Sequence, residues 1–254
     1  ILGDDPEKIA YEKSGIMRKD KDTVIGYDAP HMSIKKNSNE VGSNLHILNE
    51  QYSYKILSNK NWLFSNSDNV KIEYDNPGLN GIIQINNAAA AIQAVHCCKK
   101  ITLDKDKTNL GLRKATILGR FQVENTSPMT ILDIAHNEQS VEKLLENLEL
   151  YYPRSCLHAV FAILQDKDVD KILNMLKGKF MSWHISNSEN ERGLDVNELK
   201  KNSFFITEKA NVYDNIEKAY NGAQNYIKDK KDIIVVFGSS YTVSPIINNI
   251  INNE

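Results

Sequence analysis

Short runs of β-branched and aromatic residues alternate with segments of helical length from Phe121 to the end of the chain. Such alternation with short connections favours a mostly parallel sheet covered by helices on both faces. The predicted strands are 121–125, 130–134, 156–163, 180–185, 203–207 and 233–238. The predicted helices are 137–149, 168–178, 195–201, 212–228 and 241–252. The second half of the chain is therefore predicted to be an α/β domain with a six-stranded sheet.

One connection departs from this alternation. Only a short loop around Pro128 joins the first two predicted strands, whereas parallel neighbours need a long crossover. We therefore expect this pair to be antiparallel within an otherwise parallel sheet. A boundary near Leu118-Gly119 gives a C-terminal domain of ordinary size, so we expect a first domain over 1–118 and a separate Rossmann-like domain over 119–254.

The first half of the chain has a different pattern. Residues 1–18 are typical of a helix and residues 23–27 of a short buried strand. Three short β-like runs follow, and then two helices; these runs are 52–57, 62–64 and 70–74, and the helices 87–100 and 106–117. The chain opens on Ile1, and its first residues are typical of the middle of a domain. We therefore expect sequence to precede it.

Composition excludes several classes of protein. Lys and Arg (31) nearly balance Asp and Glu (33) among 254 residues, which argues against bulk nucleic-acid binding and against an anionic membrane surface. The longest apolar runs, such as 233–237, have the length of a strand and are too short to span a bilayer. The three cysteines fit neither a disulfide framework nor a zinc motif, and there is no secretory signal pattern. We expect a cytoplasmic monomer.

Three polar residues stand where the second strand of the α/β domain ends: Asp133, His136 and Asn137. Ligands of open α/β sheets bind beyond the carboxyl ends of the strands, which favours a binding site here. Asn137 can also cap the helix beginning at Glu138, and the N–H groups of that helix would favour an anion. Alternatively, these side chains only satisfy loop backbone. Spacing alone leaves both interpretations open.

Three further residues each have two interpretations. Arg120, at the inferred domain joint, could fork onto a phosphate or carboxylate, or could form an interdomain salt bridge. Lys13 lies among apolar residues near a helix end, where a neutral, reactive amine is possible, but most such lysines point into water. Ser239 follows a strand and a glycine at a helix start, which suits anion binding or plain capping.

Six segments, in order along nearly the whole chain, resemble the motifs of one family. The chain is similar to the folylpolyglutamate synthase and dihydrofolate synthase branch of the Mur-ligase-like amide ligases. Residues 2–16 resemble its LGxTxxxIAxEKAGI, 87–90 its NAATA helix start, 118–122 its PGRFQ, 133–137 its D-G/V-AHN, 166–168 its DKD loop, and 237–243 its final GS-x-x-x-V.

The resemblance implies that this chain binds ATP. Asn87, Arg120 and Asp133 would contact the nucleotide, with Asp133 on the ribose side, and His136 would lie by the phosphates. It also implies a fold: the C-terminal part of a Mur-type central ATPase domain, followed by the Rossmann-like ligase domain.

The resemblance further implies amide ligation, with His136 and Lys13 in catalytic roles. ATP would phosphorylate the carboxylate of a folate or dihydropteroate, and the amine of L-glutamate would attack the acyl phosphate. Lys13 matches a family lysine that CO2 converts to a carbamate, an anionic oxygen ligand of the kind Mg2+ prefers. Ser239 and Asn137 would bind the incoming glutamate.

Several family features are missing. No segment matches the glycine-rich GTNGKGS phosphate loop, Ser14 replaces the usual alanine, and Ala162 stands where glycine is common. Positioning of the phosphates can be worth about 7–11 kcal/mol, so we expect the 254 residues alone to be inactive. Two alternatives remain open: a peptidoglycan-type Mur ligase, and a non-catalytic nucleotide-binding fragment.

Overall fold

The computed structural model describes residues 5–58, 60–79, 81–227, 229 and 231–252, without the side chains of residues 82 and 252. Leu2 and Gly3, the start of the first family-like segment, lie outside these residues, as does position 228 at the end of one predicted helix. The chain divides into two compact units, residues 1–116 and 117–254. In the described ranges, no helix combines the length and apolar character that crossing a membrane requires.

The first unit contains a parallel pair of strands and an antiparallel sheet of three strands. Its elements are α1 (Pro6–Ser14), β1 (Asp22–Ile25), α2 (Met32–Val41), β2 (Asn44–Ile47), β3 (Tyr52–Ile56), β4 (Asn61–Asn66), β5 (Lys71–Asp75), α3 (Ile82–Cys97) and α4 (Lys105–Lys114). β1 pairs with β2, and β4 lies between β3 and β5. The three β-like runs predicted between residues 52 and 74 are confirmed.

Helix α3 begins five residues before its predicted start. Gly81, at a φ of 111°, precedes its first turn, so Asn87 is an exposed residue of the second turn and the prediction of a helix start there is wrong. The reason lies in packing, because an apolar stripe on α3 covers the aromatic side chains of the three-stranded sheet; the stripe is Ile85, Ala88, Ala89 and Ile92.

The second unit is an α/β domain. Its elements are β6 (Gln122–Glu124), β7 (Met129–Asp133), α5 (Glu138–Tyr151), β8 (Leu157–Phe161), α6 (Val169–Leu176), β9 (Ser182–Ser186), α7 (Val196–Leu199), α8 (Ser203–Thr207), β10 (Asn211–Tyr213), α9 (Ile216–Tyr226), β11 (Ile233–Phe237) and α10 (Ser240–Asn252). The strand order is β10-β9-β8-β11-β7-β6, parallel except for the antiparallel β6–β7 pair. The predicted fold class, including the one antiparallel strand, is confirmed.

The predicted strand at 203–207 is wrong, because this segment is helix α8. The Asn202 side chain accepts the N–H of Phe204 at 3.0 Å and starts the helix, and Phe205 packs against Trp183 in the core. The sixth strand is instead β10, which pairs with β9. Helix α9 accordingly begins at Ile216, behind the cap Asn215, rather than at 212.

The core of this unit lies on both faces of the sheet. All five residues of β11 are buried, and they alternate between two apolar clusters: Ile233, Val235 and Phe237 on one face, Ile234 and Val236 on the other. This is the pattern of a parallel strand with helices on both sides. The carboxyl ends of β7, β8 and β11 therefore come together at one edge of the sheet, held by apolar packing.

Candidate active site

Asp133, the last residue of β7, fastens the turn that precedes β6. Its Oδ2 accepts the N–H of Phe121 at 2.9 Å and its Oδ1 accepts the N–H of Ala135 at 2.8 Å. Burial raises the pKa of the Asp133 carboxyl, and these two N–H groups, followed by the charges of Arg120 and His136, act against that rise. The carboxylate is thus a half-buried acceptor between two segments of the motif region.

The turn held by Asp133 has two residues in the left-handed region. Gly119 has a φ of 68° and Phe121 a φ of 46°. Gly119 donates to Gln122 Oε1 at 2.9 Å, and its carbonyl accepts the N–H of Ile134 at 2.8 Å. A Cβ at position 119 would lie 2.8 Å from Ile134 Cγ2, so this position needs glycine for space as well as conformation. The turn is therefore sharply defined.

Arg120 stands at the middle of this turn. Its side chain is exposed, and its guanidinium forms no hydrogen bond or ion pair with the described residues. Arg120 therefore carries five free donors on a backbone that Asp133 holds in place, which suits recognition of an anion.

His136 follows two residues beyond Ile134. Its Nδ1 lies 2.8 Å from the Ile134 carbonyl oxygen, and because a carbonyl only accepts, Nδ1 carries the proton in this bond. The ring is half-buried, and Nε2 remains as the nitrogen that can meet a ligand. This local contact, between residues two positions apart, thus keeps a proton on Nδ1 and sets the orientation of the ring.

Asn137 caps helix α5 as the sequence predicted. Its Oδ1 accepts the N–H of Ser140 at 2.9 Å, and Ser140 Oγ accepts the N–H groups of His136 and Asn137 at 3.0 and 3.1 Å. This reciprocal arrangement is a capping box. It satisfies the backbone of the loop, and the side-chain nitrogen of Asn137 forms no hydrogen bond within the described part of the chain.

Ser239 lies after β11 but is turned inward. Its side chain is 3% exposed and lies 2.7 Å from Thr242 Oγ1, which donates to the Ala162 carbonyl at 2.7 Å. Gly238 has a φ of 124°, and a Cβ there would lie 2.0 Å from the same carbonyl. Ser239 therefore caps α10 and joins the ends of β8 and β11.

The loop after β8 has a partner that the sequence analysis did not identify. Arg192 donates to Asp166 Oδ2 at 3.0 Å, and its carbonyl accepts the N–H of Gln165 at 2.9 Å. Arg192 lies far from Asp166 in sequence and belongs to no recognisable motif. Ser140 and Thr242 were likewise missed, although a hydroxyl three residues after each cap was a usable signal.

Lys13 and Asn87 belong to the first unit. Lys13 is exposed in the last turn of α1, beside the buried Ser14, whose Oγ donates to Tyr11 O at 2.6 Å and accepts from Asn37. Asn87 donates to Gln84 Oε1 at 3.1 Å. The described residues place no cluster of acidic or histidine ligands around Lys13. A carbamate on Lys13 would therefore need further ligands, such as water and phosphate oxygens, to complete a magnesium shell.

Comparison with known proteins identifies the class of the second unit. Residues 119–240 match the family model described as Mur ligase, glutamate ligase domain. The second unit is thus a ligase domain of the Mur type. Over both units, the chain is homologous to the dihydrofolate synthase/folylpolyglutamate synthases within that class.

The relatives cover both units. A dihydrofolate synthase/folylpolyglutamate synthase of Buchnera aphidicola is 33% identical over 243 residues, which is 96% of this chain and 56% of that protein. Escherichia coli FolC in complex with DHPP and ADP superposes with a TM-score of 0.86 at 26% identity, over 99% of this chain and 58% of that one. A bifunctional folylpolyglutamate synthase/dihydrofolate synthase with Mn, AMPPNP and L-glutamate bound superposes with a TM-score of 0.84 at 27% identity, over 98% of this chain and 58% of that one. The chain therefore spans little more than half of the length of these proteins.

Proposed function

We propose that this chain acts in an ATP-dependent ligase that joins L-glutamate to a folate, to dihydropteroate, or to both. The observation that carries the proposal is the Asp133-fastened turn, which fixes the backbone of Arg120 while leaving its guanidinium free. The relatives whose structures contain ADP or AMPPNP support a nucleotide as the ligand.

The nucleotide would meet four of the residues described above. The guanidinium of Arg120 would bind a phosphate in a two-pronged geometry. When the His136 ring carries its second proton, its Nε2–H would donate to an oxygen whose charge grows during phosphoryl transfer. Each carboxylate oxygen of Asp133 accepts one N–H and has a lone pair to spare for a ribose hydroxyl. The exposed Asn87 would contact the nucleotide from the first unit.

The reaction would pass through an acyl phosphate. The substrate carboxylate attacks the γ-phosphorus of ATP and releases ADP; the neutral amine of glutamate then attacks the acyl carbon, loses a proton and expels phosphate. Magnesium would neutralise charge on the phosphates, with the Lys13 carbamate as one prospective ligand. The free side-chain nitrogen of Asn137 would donate to a glutamate carboxylate, and Ser239 would support that region.

A ligation assay with the product of the complete gene tests the proposal. The protein would be incubated with ATP, Mg2+, L-glutamate and either tetrahydrofolate or dihydropteroate, and products would be weighed by mass spectrometry. We expect an increase of one glutamyl unit together with ADP release. Addition of an amino acid to a UDP-muramoyl acceptor instead would indicate a peptidoglycan ligase, and nucleotide binding without any product would indicate a non-catalytic protein.

The role of Lys13 has its own test. We expect Lys13→Arg to lose ligation and Lys13→Ala to regain part of it when a short carboxylic acid such as acetate is supplied as a substitute oxygen ligand. Ligation by Lys13→Arg at the parent rate would show that Lys13 has no such role. We also propose a cytoplasmic monomer that does not bind nucleic acid, which the near balance of 31 basic and 33 acidic residues supports.

A further inference from the structure

The parallel pair β1–β2 presents alternate residues to helix α3. Side chains alternate between the two faces of a strand, and Ile25 packs into the cluster on the α1–α2 side while Val24 packs with residues of α3. The register places Val24 beside His46. Asp22 and His46 therefore share the face that α3 covers.

The C-terminal end of α3 adds two side chains to this face. Gln93 and Cys97 are four residues apart and so lie on one side of the helix. Gln93 Nε2 lies 3.2 Å from His46 Nδ1 and 3.5 Å from Cys97 Sγ, and His46 Nε2 lies 3.0 Å from Asp22 Oδ1. Oxygen, nitrogen and sulfur donors from three separate elements thus converge beside one buried amide.

We propose that Asp22, His46 and Cys97 form a binding site for a zinc-class divalent cation. One ligand atom from each residue lies within 4.8 Å of the other two, and no other group of three such residues occurs among the residues that the structure describes. Zinc accepts this donor set at about 2.0–2.3 Å, which separates tetrahedral ligands by about 3.3–3.8 Å. Movement of the ligand atoms closer together by about 1 Å would therefore bring them to the spacing of a zinc site.

The chemistry of the donors favours zinc over magnesium. A thiolate and an imidazole are poor ligands for Mg2+, which prefers hard oxygens. On binding, the Cys97 thiol would release its proton to solvent, and the thiolate and the Asp22 carboxylate would together balance the two charges of the ion. The site is thus chemically distinct from any magnesium that accompanies ATP.

Gln93 holds the other ring nitrogen of His46. Its amide nitrogen donates to His46 Nδ1 and to Cys97 Sγ, and the residue is 1% exposed. Nε2, which faces Asp22, would therefore bind the ion. The ring proton would then lie on Nδ1, and the Gln93 amide would have to turn so that its Oε1 accepts that proton. Asp22 and His46 keep side-chain exposures of 33% and 21%, so the site has access to solvent, and water would complete the tetrahedron.

Cobalt titration of the reduced, metal-free protein tests the site. Co2+ bound by a thiolate gives near-ultraviolet charge-transfer absorption, so we expect this band to saturate at one equivalent. Cys97→Ser should abolish the band and weaken Zn2+ binding in calorimetry by more than about a hundredfold, because loss of an outer partner alone costs about 10–100-fold. Cys98→Ser, which changes the exposed neighbour, is the matched control and should leave the band unchanged.

The second variant is Asp22→Asn, which alters only the most exposed ligand. We expect it to retain the thiolate band and to bind Zn2+ at least about tenfold more weakly. Absence of a thiolate band in the parent protein, or its survival in Cys97→Ser, overturns the proposal. If Cys97→Ser does not fold, Asp22→Asn decides, and an unchanged Zn2+ affinity in that variant overturns it. Neither result bears on the ligase reaction.

Discussion

Phe121 donates its backbone N–H to the Asp133 carboxylate at 2.9 Å while holding a φ of 46°. A non-glycine residue in the left-handed region is strained, so the turn persists only because surrounding contacts favour it. The residue proposed to meet the ribose of ATP therefore also maintains the backbone from which Arg120 extends. A change at Asp133 should affect both stability and nucleotide binding, and Arg120 offers a way to separate the two.

We expect Asp133→Ala to lower the free energy of unfolding and the affinity for ATP together. The N–H groups of Phe121 and Ala135 would lose their acceptors, at about 1–3 kcal/mol each when buried. Loss of a charge-assisted bond to a ribose hydroxyl would add a tenfold to hundredfold rise in the Kd for ATP, or about 1.5–3 kcal/mol. Urea unfolding and calorimetric titration measure the two effects. An unchanged Kd would show that Asp133 is purely structural.

Arg120→Ala is the matched change with only one expected effect. Its guanidinium makes no hydrogen bond within the described residues, so the free energy of unfolding should stay within about 0.5 kcal/mol of the parent. The Kd for ATP should rise by about tenfold to a hundredfold, because a two-pronged bond to a phosphate is lost. A stability loss as large as that of Asp133→Ala would contradict this separation.

His136→Ala should lower kcat more than it changes nucleotide affinity. Nδ1 donates to the Ile134 carbonyl, so Nε2–H, present when the ring carries its second proton, is the donor left for an oxygen that gains charge in the transition state. An interaction made only in the transition state affects kcat and kcat/KM equally and leaves KM unchanged. Steady-state kinetics of the complete gene product measure this. A rise in the KM for ATP with unchanged kcat would instead indicate a simple binding role.

Gly238→Ala should destabilise the second unit severely. The new Cβ would lie 2.0 Å from the Ala162 carbonyl oxygen at a φ of 124°, and β8 and β11 are both central strands. Gly178→Ala is the control, because Gly178 also has a positive φ, of 69°, but its Cβ would meet no atom within 4 Å. In denaturant unfolding, we expect the control to lower the free energy of unfolding by about 1–2 kcal/mol and Gly238→Ala to lower it by clearly more. Equal losses of stability in the two variants would show that the surrounding structure relieves the clash at no cost.

Low pH should lower the free energy of unfolding of the second unit, because two histidines, His158 and His184, are buried in it. Ser182 Oγ lies 2.8 Å from His158 Nδ1 and 3.1 Å from His184 Nε2. Burial, followed by the charge of His158, lowers the pKa of His184 to about 4. The unfolded chain therefore binds more protons than the folded chain between pH 6.5 and about 4, and the stability present above pH 6.5 is lost as the pH falls through this window.

For His184 alone this loss amounts to about 3 kcal/mol by pH 4. Urea unfolding at pH 7.5 and at pH 5 measures it in the parent and in His184→Gln. We expect the parent to lose more stability than the variant over that interval. Parallel losses in the two proteins would show that other groups carry the acid sensitivity.

The sequence was informative where the evidence is local. The five buried residues of β11 and the short loop at Pro128 determined an α/β sheet with one antiparallel strand, because strand length, side-chain alternation and loop length are local properties. The cap at Asn137 was predictable for the same reason. The apolar aromatic run at 203–207 led to the wrong prediction of a strand, since β-propensity depends on whether a neighbouring strand edge is available. There Asn202 and the packing of Phe205 produced a helix instead.

The motifs also indicated the family and the candidate site residues, but not which of their atoms remain free for a ligand. Arg120 and Ser239 had equivalent interpretations in the sequence, as anion binders or as structural residues. Only the tertiary structure shows what each side chain contacts: Ser239 lies against Thr242, which donates to the Ala162 carbonyl, whereas the guanidinium of Arg120 has no partner among the described residues. The proposed zinc site could likewise not be predicted from the sequence. Its three ligands come from β1, β2 and α3, and only the strand register and the packing of α3 bring them together.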